Sequence, residues 1–175
     1  MYKTPRILRS KLEELREGLL IGSGCYESEV FIEARSKEGQ ELTNIINFSD
    51  VVGDISIEVA MQYCYADYNE TIFSYVNNVR TRDGGTHETG FKTGVTRAVN
   101  DFIETYKLVK GKKLEGSDIR EGLTAVIALK VPEAYLQFEG QTKGKLGTPE
   151  ATPVVQNLIY NKITYYLTEN KEIAL

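Results

Sequence analysis

The sequence is organised around the stretch Leu123-Thr124-Ala125-Val126-Ile127-Ala128-Leu129-Lys130-Val131-Pro132. This stretch is apolar at nearly every position, is shorter than most helices, and ends at a proline, which continues neither a helix nor a central strand. Strands that are buried on both faces have this composition. We therefore predict a well-buried central strand here, with the other elements arranged around it.

Two amphipathic helices are predicted, one before this strand and one after it. The first follows the turn Asp83-Gly84-Gly85, with Thr86 as its N-cap, and the second covers residues 153–167. In each helix, apolar residues recur at helical spacing along one face. They are Phe91, Val95, Ala98, Val99, Phe102, Ile103 and Tyr106 in the first helix, and Val154, Val155, Leu158, Ile159, Ile163 and Tyr166 in the second. Such one-sided helices indicate an α+β fold, one sheet with helices on one face.

Two further strands and a short helical turn complete this region. Residues 55–63 alternate apolar and polar side chains, and residues 71–80 are rich in aromatic and β-branched residues. Turn-forming residues between them, Asp67 and Asn69, predict that the two strands form a hairpin. Residues 117–120 are predicted to form a helical turn.

The first 48 residues have a different character. We predict a helix over residues 11–19, a short buried strand over residues 19–24 that ends in a glycine turn, and a helix from residue 28 that ends at Gly39. The chain is accordingly divided into an N-terminal segment, residues 1–48, and a domain, residues 49–175.

Composition excludes several classes of function. The net charge of −4 argues against a wholly basic nucleic-acid-binding surface. Cys25 and Cys64 lack metal-ligand spacing, and with a single histidine, His87, no metal site is predicted. Neither paired carboxylates nor a Ser/His/Asp or Cys/His set is recognisable, so no complete catalytic site is predicted. With no apolar run of about 18 residues and no signal peptide, we expect a cytoplasmic protein that does not enter a membrane.

Three polar segments have both a structural and a functional interpretation. The loop Gly140-Gln141-Thr142-Lys143-Gly144-Lys145-Leu146-Gly147 offers donors to an anion, but it is not a P-loop and composition alone favours an ordinary solvated loop. His87 could be an acid–base group, although a hydrogen bond within its turn is the stronger interpretation. A basic connection carries Lys107, Lys110, Lys112 and Lys113. It is either a solvated loop or a contact to a phosphate backbone.

Four segments, taken in order, resemble a known family. They are residues 57–63, 73–93, 118–126 and 136–148. Their sequences and spacing resemble those of the second, or transducer, domain of the ATPase subunits of DNA gyrase and topoisomerase IV. The resemblance covers residues 49–175. The phrases Arg82-Asp83-Gly84-Gly85 and Leu136-Gln137-Phe138-Glu139 resemble the ATPase (B) subunit of topoisomerase IV more than that of gyrase.

The resemblance implies a fold and a site. The fold is that of ribosomal protein S5 domain 2, a mostly antiparallel sheet with helices on one face and a left-handed β-α-β crossover. ATP is implied to sit in a separate, preceding GHKL domain, which also holds Mg²⁺. The family's loop glutamine and lysine, which contact the γ-phosphate, correspond to Gln141 and Lys143. Hydrolysis would then reset the angle between the domains and move a clamp on double-stranded DNA, which the basic connection could face.

The same resemblance implies what this chain does not carry. A GHKL domain, with its general base and Mg²⁺-binding asparagine, and a TOPRIM domain, with its acidic metal cluster, are both absent. The implied enzyme is an ATP-hydrolysing DNA topoisomerase that also needs its A-type subunits, and we expect the isolated chain to be inactive. The segment Ala151-Thr152-Pro153 departs from the family's usual wording.

The N-terminal segment resembles another protein. Residues 4–9 and 16–25 are similar to part of the PHP domain of PolC-type DNA polymerase III, but its metal-binding histidines are not present here. Besides the topoisomerase function, the sequence leaves three other functions open. They are a non-enzymatic S5-like module that binds nucleic acid or protein, a fragment of the gyrase ATPase subunit, and a polymerase-associated protein.

Overall fold

The computed structural model of the chain describes residues 42–65, 68–109 and 113–171. The predicted helices over residues 11–19 and from residue 28, and the predicted strand over residues 19–24, lie outside the described residues. The PHP-like segments lie outside them as well.

A five-stranded mixed sheet forms one layer of the domain. Its strands are β1 (Ile46–Val52), β2 (Ile55–Tyr63), β3 (Thr71–Val76), β4 (Val79–Arg80) and β5 (Leu123–Lys130), in the spatial order β1-β2-β5-β3-β4. Strand β5 pairs antiparallel with β2 and parallel with β3, and the other two pairs are antiparallel. The predicted central strand and the mostly antiparallel sheet are therefore confirmed.

Among the residues that the structure describes, three α-helices accompany the sheet. They are α1 (Thr86–Tyr106), α2 (Gly116–Ile119) and α3 (Ala151–Glu169). Helices α1 and α2 lie in sequence between the parallel neighbours β3 and β5, so they form the connection of a β-α-β unit. The left-handed sense of this crossover stays a prediction.

The predicted hairpin between residues 55–63 and 71–80 is wrong, because β5 lies between β2 and β3. A strand as apolar as β5 is stabilised by neighbours on both sides, and it therefore separates the two strands that precede it. Within this sheet, the strand pairs joined by short turns are β1 with β2, at Gly53, and β3 with β4, at Asn77 and Asn78. Residues 71–80 are consequently two strands rather than one.

Strand β1 was not predicted from the sequence. Most of its side chains are exposed or half-buried, and they include Asn47, Ser49 and Asp50, which are poor strand formers or carry little apolar signal. Its pairing with β2 compensates for this weak pattern. The strand begins at Ile46, on the N-terminal side of the predicted boundary between residues 48 and 49.

The core lies between one face of the sheet and the helices. Alternate residues of β5, from Leu123 to Leu129, are almost completely buried, while those between them are only partly covered. Helix α1 contributes Phe91 and Val95 to the same core, and α3 contributes Val155 and Ile159. Helices on one face of the sheet, as predicted, are confirmed.

Helices α1 and α3 pack unusually closely because α1 carries two glycines on the contact face. A Cβ atom added at Gly90 would lie 2.6 Å from the carbonyl oxygen of Thr152, and one added at Gly94 would lie 2.8 Å from that of Gln156. Contact partners advance in the same direction along both helices, so the helices run parallel. Their N-termini are joined, since Thr152 Oγ1 donates a hydrogen bond to the Thr86 carbonyl at 3.0 Å.

The turn between β3 and β4 also holds the end of β5. Asn77 and Asn78 both have positive φ, at 49° and 65°, which asparagine tolerates better than other side-chain-bearing residues. The Asn77 side chain donates from Nδ2 to the Val131 carbonyl and accepts at Oδ1 from the Val131 amide, each at 2.8 Å. One amide side chain thus replaces a strand partner for the buried backbone of Val131.

Asn77→Gly is expected to destabilise the domain by about 2 kcal/mol, because both polar groups of the buried Val131 backbone lose a partner worth about 1 kcal/mol each. Glycine keeps the positive φ, so backbone strain does not contribute. Urea unfolding of the chain measures the change. Asn78→Gly is the matched control and should alter the free energy of unfolding by less than about 0.5 kcal/mol. Equal effects of the two substitutions would contradict this role for Asn77.

Candidate functional site

The predicted anion-binding loop is the tip of a small hairpin. Strands β6 (Phe138–Glu139) and β7 (Lys145–Leu146) pair antiparallel, and residues 140–144, here called the tip loop, join them. Gly140 and Lys143 both have positive φ, at 78° and 53°. A left-handed conformation is uncommon for lysine and indicates a loop whose shape is set by its surroundings.

Gln141 and Lys143 lie together on the tip loop and are exposed. Lys143 Nζ lies 5.9 Å from the centroid of the Phe138 ring, a weak cation–π contact at an exposed site. Lys145, two residues further along, instead forms an ion pair with Glu139 at 2.9 Å. The loop therefore presents a side-chain amide and an accessible ammonium group, which are suitable donors for a phosphate.

The C-terminal side of the tip loop is attached to the turn that begins α1. The Asp83 amide donates to the Gly144 carbonyl at 2.9 Å, and the Leu146 amide donates to the Gly84 carbonyl at 3.1 Å. Gly85 and Leu146 also form a parallel β-bridge. The position of the tip loop is consequently fixed to the N-terminus of α1.

The predicted N-cap at Thr86 is wrong. Gly85 occupies the cap position with a φ of 138°, and Thr86 is the first helical residue. Glycine is required because residues with a side chain rarely adopt this φ. The Gly85 carbonyl accepts from both the amide and the hydroxyl of Thr89.

His87 is fully buried beneath this turn. Its Nε2 lies 3.1 Å from Thr81 Oγ1, which in turn lies 2.7 Å from Ser74 Oγ, so a short hydrogen-bonded chain runs from α1 to β3. Burial lowers the pKa of His87 to about 4. At neutral pH the imidazole is therefore uncharged and inaccessible, and its contact joins elements of the fold instead of serving acid–base chemistry.

The pKa of His87 predicts a pH dependence of stability. Its folded-state pKa of about 4 lies below the ordinary value of 6.5, so between these values the unfolded chain binds more protons. Stability is therefore lost as pH falls below 6.5, by about 2 kcal/mol between pH 7 and pH 5. Urea unfolding at the two pH values measures this. In His87→Gln, most of this loss of about 2 kcal/mol in the free energy of unfolding between pH 7 and pH 5 should disappear. The same pH dependence in the variant and the unaltered chain would contradict the role of His87.

An ion-pair cluster lies along the side of α1. Lys92 Nζ lies 2.7 Å from Glu70 and 3.0 Å from Glu88, and Arg120 also pairs with Glu70. Burial alone would raise the pKa of Glu70, but the hydrogen bonds from Lys92 and Arg120 outweigh it and lower that pKa. Glu88 is paired with Lys92. The cluster connects α1 to Glu70, which precedes β3, and to Arg120, which follows α2.

The structure does not bring the basic connection near the tip loop. Lys107 ends α1 in a left-handed conformation, whereas the tip loop lies at the other end of this helix, which has 21 residues and so a length of about 30 Å. Lys113 is exposed and lies 3.9 Å from Glu104. Lys110 and Lys112 lie outside the described residues.

The described residues contain neither a membrane-spanning helix nor a cluster of metal ligands. Across residues 42–65, 68–109 and 113–171, no helix combines the length and apolarity that crossing a membrane requires. In the same part of the chain, no three His, Cys, Asp or Glu side chains are grouped as metal ligands.

Comparison with known proteins identifies the family. The sequence pattern described as DNA gyrase B matches residues 27–175. This chain belongs to the DNA gyrase B family. The match begins before the predicted boundary at residues 48 and 49, so it includes part of the segment that resembles a PHP domain; that resemblance stays a prediction.

Curated relatives within the DNA gyrase B family are named as the B subunits of DNA topoisomerase 4. The Enterococcus faecalis protein is 49% identical over 146 residues, covering 82% of this chain and 21% of the relative. The Streptococcus pneumoniae protein is 47% identical over 153 residues, covering 85% of this chain and 24% of the relative. The chain thus spans only about a fifth to a quarter of the length of these proteins.

A solved structure supports the fold. The crystal structure of the 43K ATPase domain of Thermus thermophilus gyrase B, in complex with an aminocoumarin, is similar with a TM-score of 0.71 and 36% identity. The similarity covers 82% of this chain and 38% of that one. The α+β fold predicted from the sequence is therefore that of the ATPase region of this family.

Proposed function

We propose that residues 49–175 act as the transducer domain of an ATP-dependent type II DNA topoisomerase, of the kind found in the ATPase subunits of topoisomerase IV. The observation that carries this proposal is the tip loop of a gyrase B family chain: Gln141 and Lys143 are exposed on it, and its C-terminal side is hydrogen-bonded to the turn before α1. A loop that is exposed at its tip and attached at its base is suited to report ligand contact to the rest of the domain.

The chemistry of the tip loop favours ATP over ADP. A γ-phosphate adds negative charge that the Lys143 ammonium can neutralise and oxygens to which the Gln141 amide can donate. ATP, with its Mg²⁺, would be held by a GHKL domain, and these two side chains would complete the site. Loss of the γ-phosphate on hydrolysis removes the contact and releases the loop, which is the ordinary logic of a nucleotide switch.

The remaining partners follow from the same proposal. The domain would be joined to GHKL and TOPRIM domains, would work with the A-type subunits of the topoisomerase, and would couple hydrolysis to closure of a clamp on double-stranded DNA. Lys107 and Lys113, at the end of α1 remote from the tip loop, are then candidates for the DNA-facing side, together with Lys110 and Lys112. The chain alone would not hydrolyse ATP.

A binding experiment tests this function. A GHKL domain from a DNA topoisomerase 4 of the same family is titrated with a fluorescent non-hydrolysable ATP analogue, and separately with fluorescent ADP, with and without this chain. Adding the chain should tighten binding of the ATP analogue at least about tenfold, which one charge-assisted hydrogen bond supplies, and leave ADP affinity nearly unchanged.

Two outcomes would contradict the proposal. Equal tightening of ADP and ATP analogue would show that the chain does not sense the γ-phosphate. Salt-sensitive binding of RNA by the chain alone, without any effect on the GHKL domain, would instead favour a non-enzymatic nucleic-acid-binding module.

A further inference from the structure

Strand β7 and the turn before α1 approach each other more closely than side chains would allow. A Cβ atom added at Gly85 would lie 2.3 Å from the carbonyl oxygen of Leu146, 2.5 Å from its amide nitrogen and 2.9 Å from its Cα. All three are backbone atoms, so no side-chain rotation could relieve the clash. The φ of 138° at Gly85 independently disfavours any residue other than glycine.

Leu146 cannot move away easily, because its side chain is fully buried in the core. Its amide also donates to the Gly84 carbonyl, and the Asp83 amide donates to the carbonyl of Gly144 on the tip loop. The distance between the tip loop and α1 is therefore determined by the bare backbone at Gly85, with hydrogen bonds on either side.

The same turn is connected to both long helices. The Gly85 carbonyl accepts from the Thr89 amide in the first turn of α1, and the Thr86 carbonyl accepts from Thr152 Oγ1 in α3. A displacement of the tip loop would consequently be passed to the N-termini of α1 and α3 together.

We propose that Gly85 is a positioning residue for the tip loop: because it has no side chain, β7 rests directly on the start of α1 and fixes the position of Lys143 relative to the two helices. This inference rests on the function proposed above, in which Lys143 contacts the γ-phosphate. It adds a residue that touches no nucleotide but determines where the sensing group stands.

Gly85→Ala tests the inference in a protein in which a GHKL domain precedes this chain. The substitution should displace the tip loop and lower the ratio of ATP-analogue affinity to ADP affinity at least about tenfold, since small misplacements of contact groups have effects of this size. Gly94→Ala is the matched control. Its Cβ would also clash, but with Gln156 and Ile159 on α3, so it should lower stability and leave the affinity ratio unchanged.

Amide hydrogen exchange of the unaltered protein provides a second readout if Gly85→Ala does not fold. Binding of the ATP analogue should slow exchange at the Asp83 and Leu146 amides at least about tenfold relative to ADP, because a ligand stabilises the contacts that its site requires. The Asn77 amide, which donates to Leu129 in the sheet, serves as the reference and should not change.

The outcomes separate this inference from the proposed function. If Lys143→Ala retains normal turnover, the proposed function fails and this inference fails with it. If Lys143→Ala is inactive while folded Gly85→Ala keeps the original affinity ratio, only the role of Gly85 is overturned. If Lys143→Ala is inactive but exchange at Asp83 and Leu146 is equal with ATP analogue and ADP, that role alone is likewise overturned.

Discussion

Lys143→Ala is expected to lower ATP turnover about 100- to 1000-fold in a protein in which this chain lies between a GHKL domain and a TOPRIM domain. Assembled with its A-type subunits, the variant should show a similar loss of ATP-dependent strand passage. The ammonium group stands at an exposed tip and, in the proposed complex, offsets the charge of the transferring phosphoryl group. Removing one such donor typically has an effect of this size. Steady-state kcat for ATP hydrolysis and relaxation of supercoiled DNA measure the two activities.

Lys145→Ala is the matched control for this prediction. It removes a positive charge from the same hairpin, but the Lys145 ammonium is already paired with Glu139 at 2.9 Å. We expect its turnover to stay within about threefold of the unaltered protein, because an exposed ion pair contributes little. Near-normal turnover in Lys143→Ala would contradict the proposed contact between Lys143 and the γ-phosphate. Equal losses in both variants would indicate a general effect of positive charge on the hairpin.

Gly94→Val is expected to destabilise the domain by about 3 kcal/mol or more, because overpacking at a rigid contact has this cost. The new Cβ would lie 2.8 Å from the Gln156 carbonyl oxygen and 2.8 Å from the Cβ of Ile159, so α1 and α3 would have to separate. That separation would also open the core around Phe91 and Val155. The melting temperature should fall by roughly 10 °C.

Thr93→Val places the same side chain one residue earlier on α1, where it is exposed. The Thr93 hydroxyl bonds only the Thr89 carbonyl within its own helix, at 2.8 Å, so losing it should change stability by less than about 0.5 kcal/mol. Thermal and urea unfolding of both variants would be compared. Similar small effects of the two substitutions would show that the helices do not pack as closely as described.

The parts of the fold that the sequence predicts are those with a strong hydrophobic period. Strand β5 is recognisable because its run is apolar on both faces, and α1 because its apolar residues recur over several turns. Strand pairing was less predictable. Nothing local to residues 55–63 and 71–80 indicates that a strand some 50 residues later in the chain would separate them.

The candidate site was predictable only in part. Gln141 and Lys143 are identified by the resemblance of the loop sequence to that of the family. Their own chemistry is that of any polar loop. The support beneath them was not predicted, because it depends on a contact between Gly85 and Leu146 that is remote in sequence. The adjacent glycines at positions 84 and 85 are a sequence signal, but by themselves they favour a tight turn and do not indicate which distant strand lies against them. The sequence predicts Thr86 as the N-cap because a threonine hydroxyl is a good acceptor. In the structure the N-cap is one residue earlier, at Gly85, where a φ of 138° requires glycine.

The central location of β5 has a consequence for how the chain folds. Its partners, β2 and β3, are synthesised long before it, and each must keep an edge of backbone donors and acceptors unpaired until β5 inserts between them. Contacts between such distant segments slow folding, since a long stretch of chain must be ordered before they can form. Any fragment that ends before Leu123 would leave both edges open and would tend to aggregate.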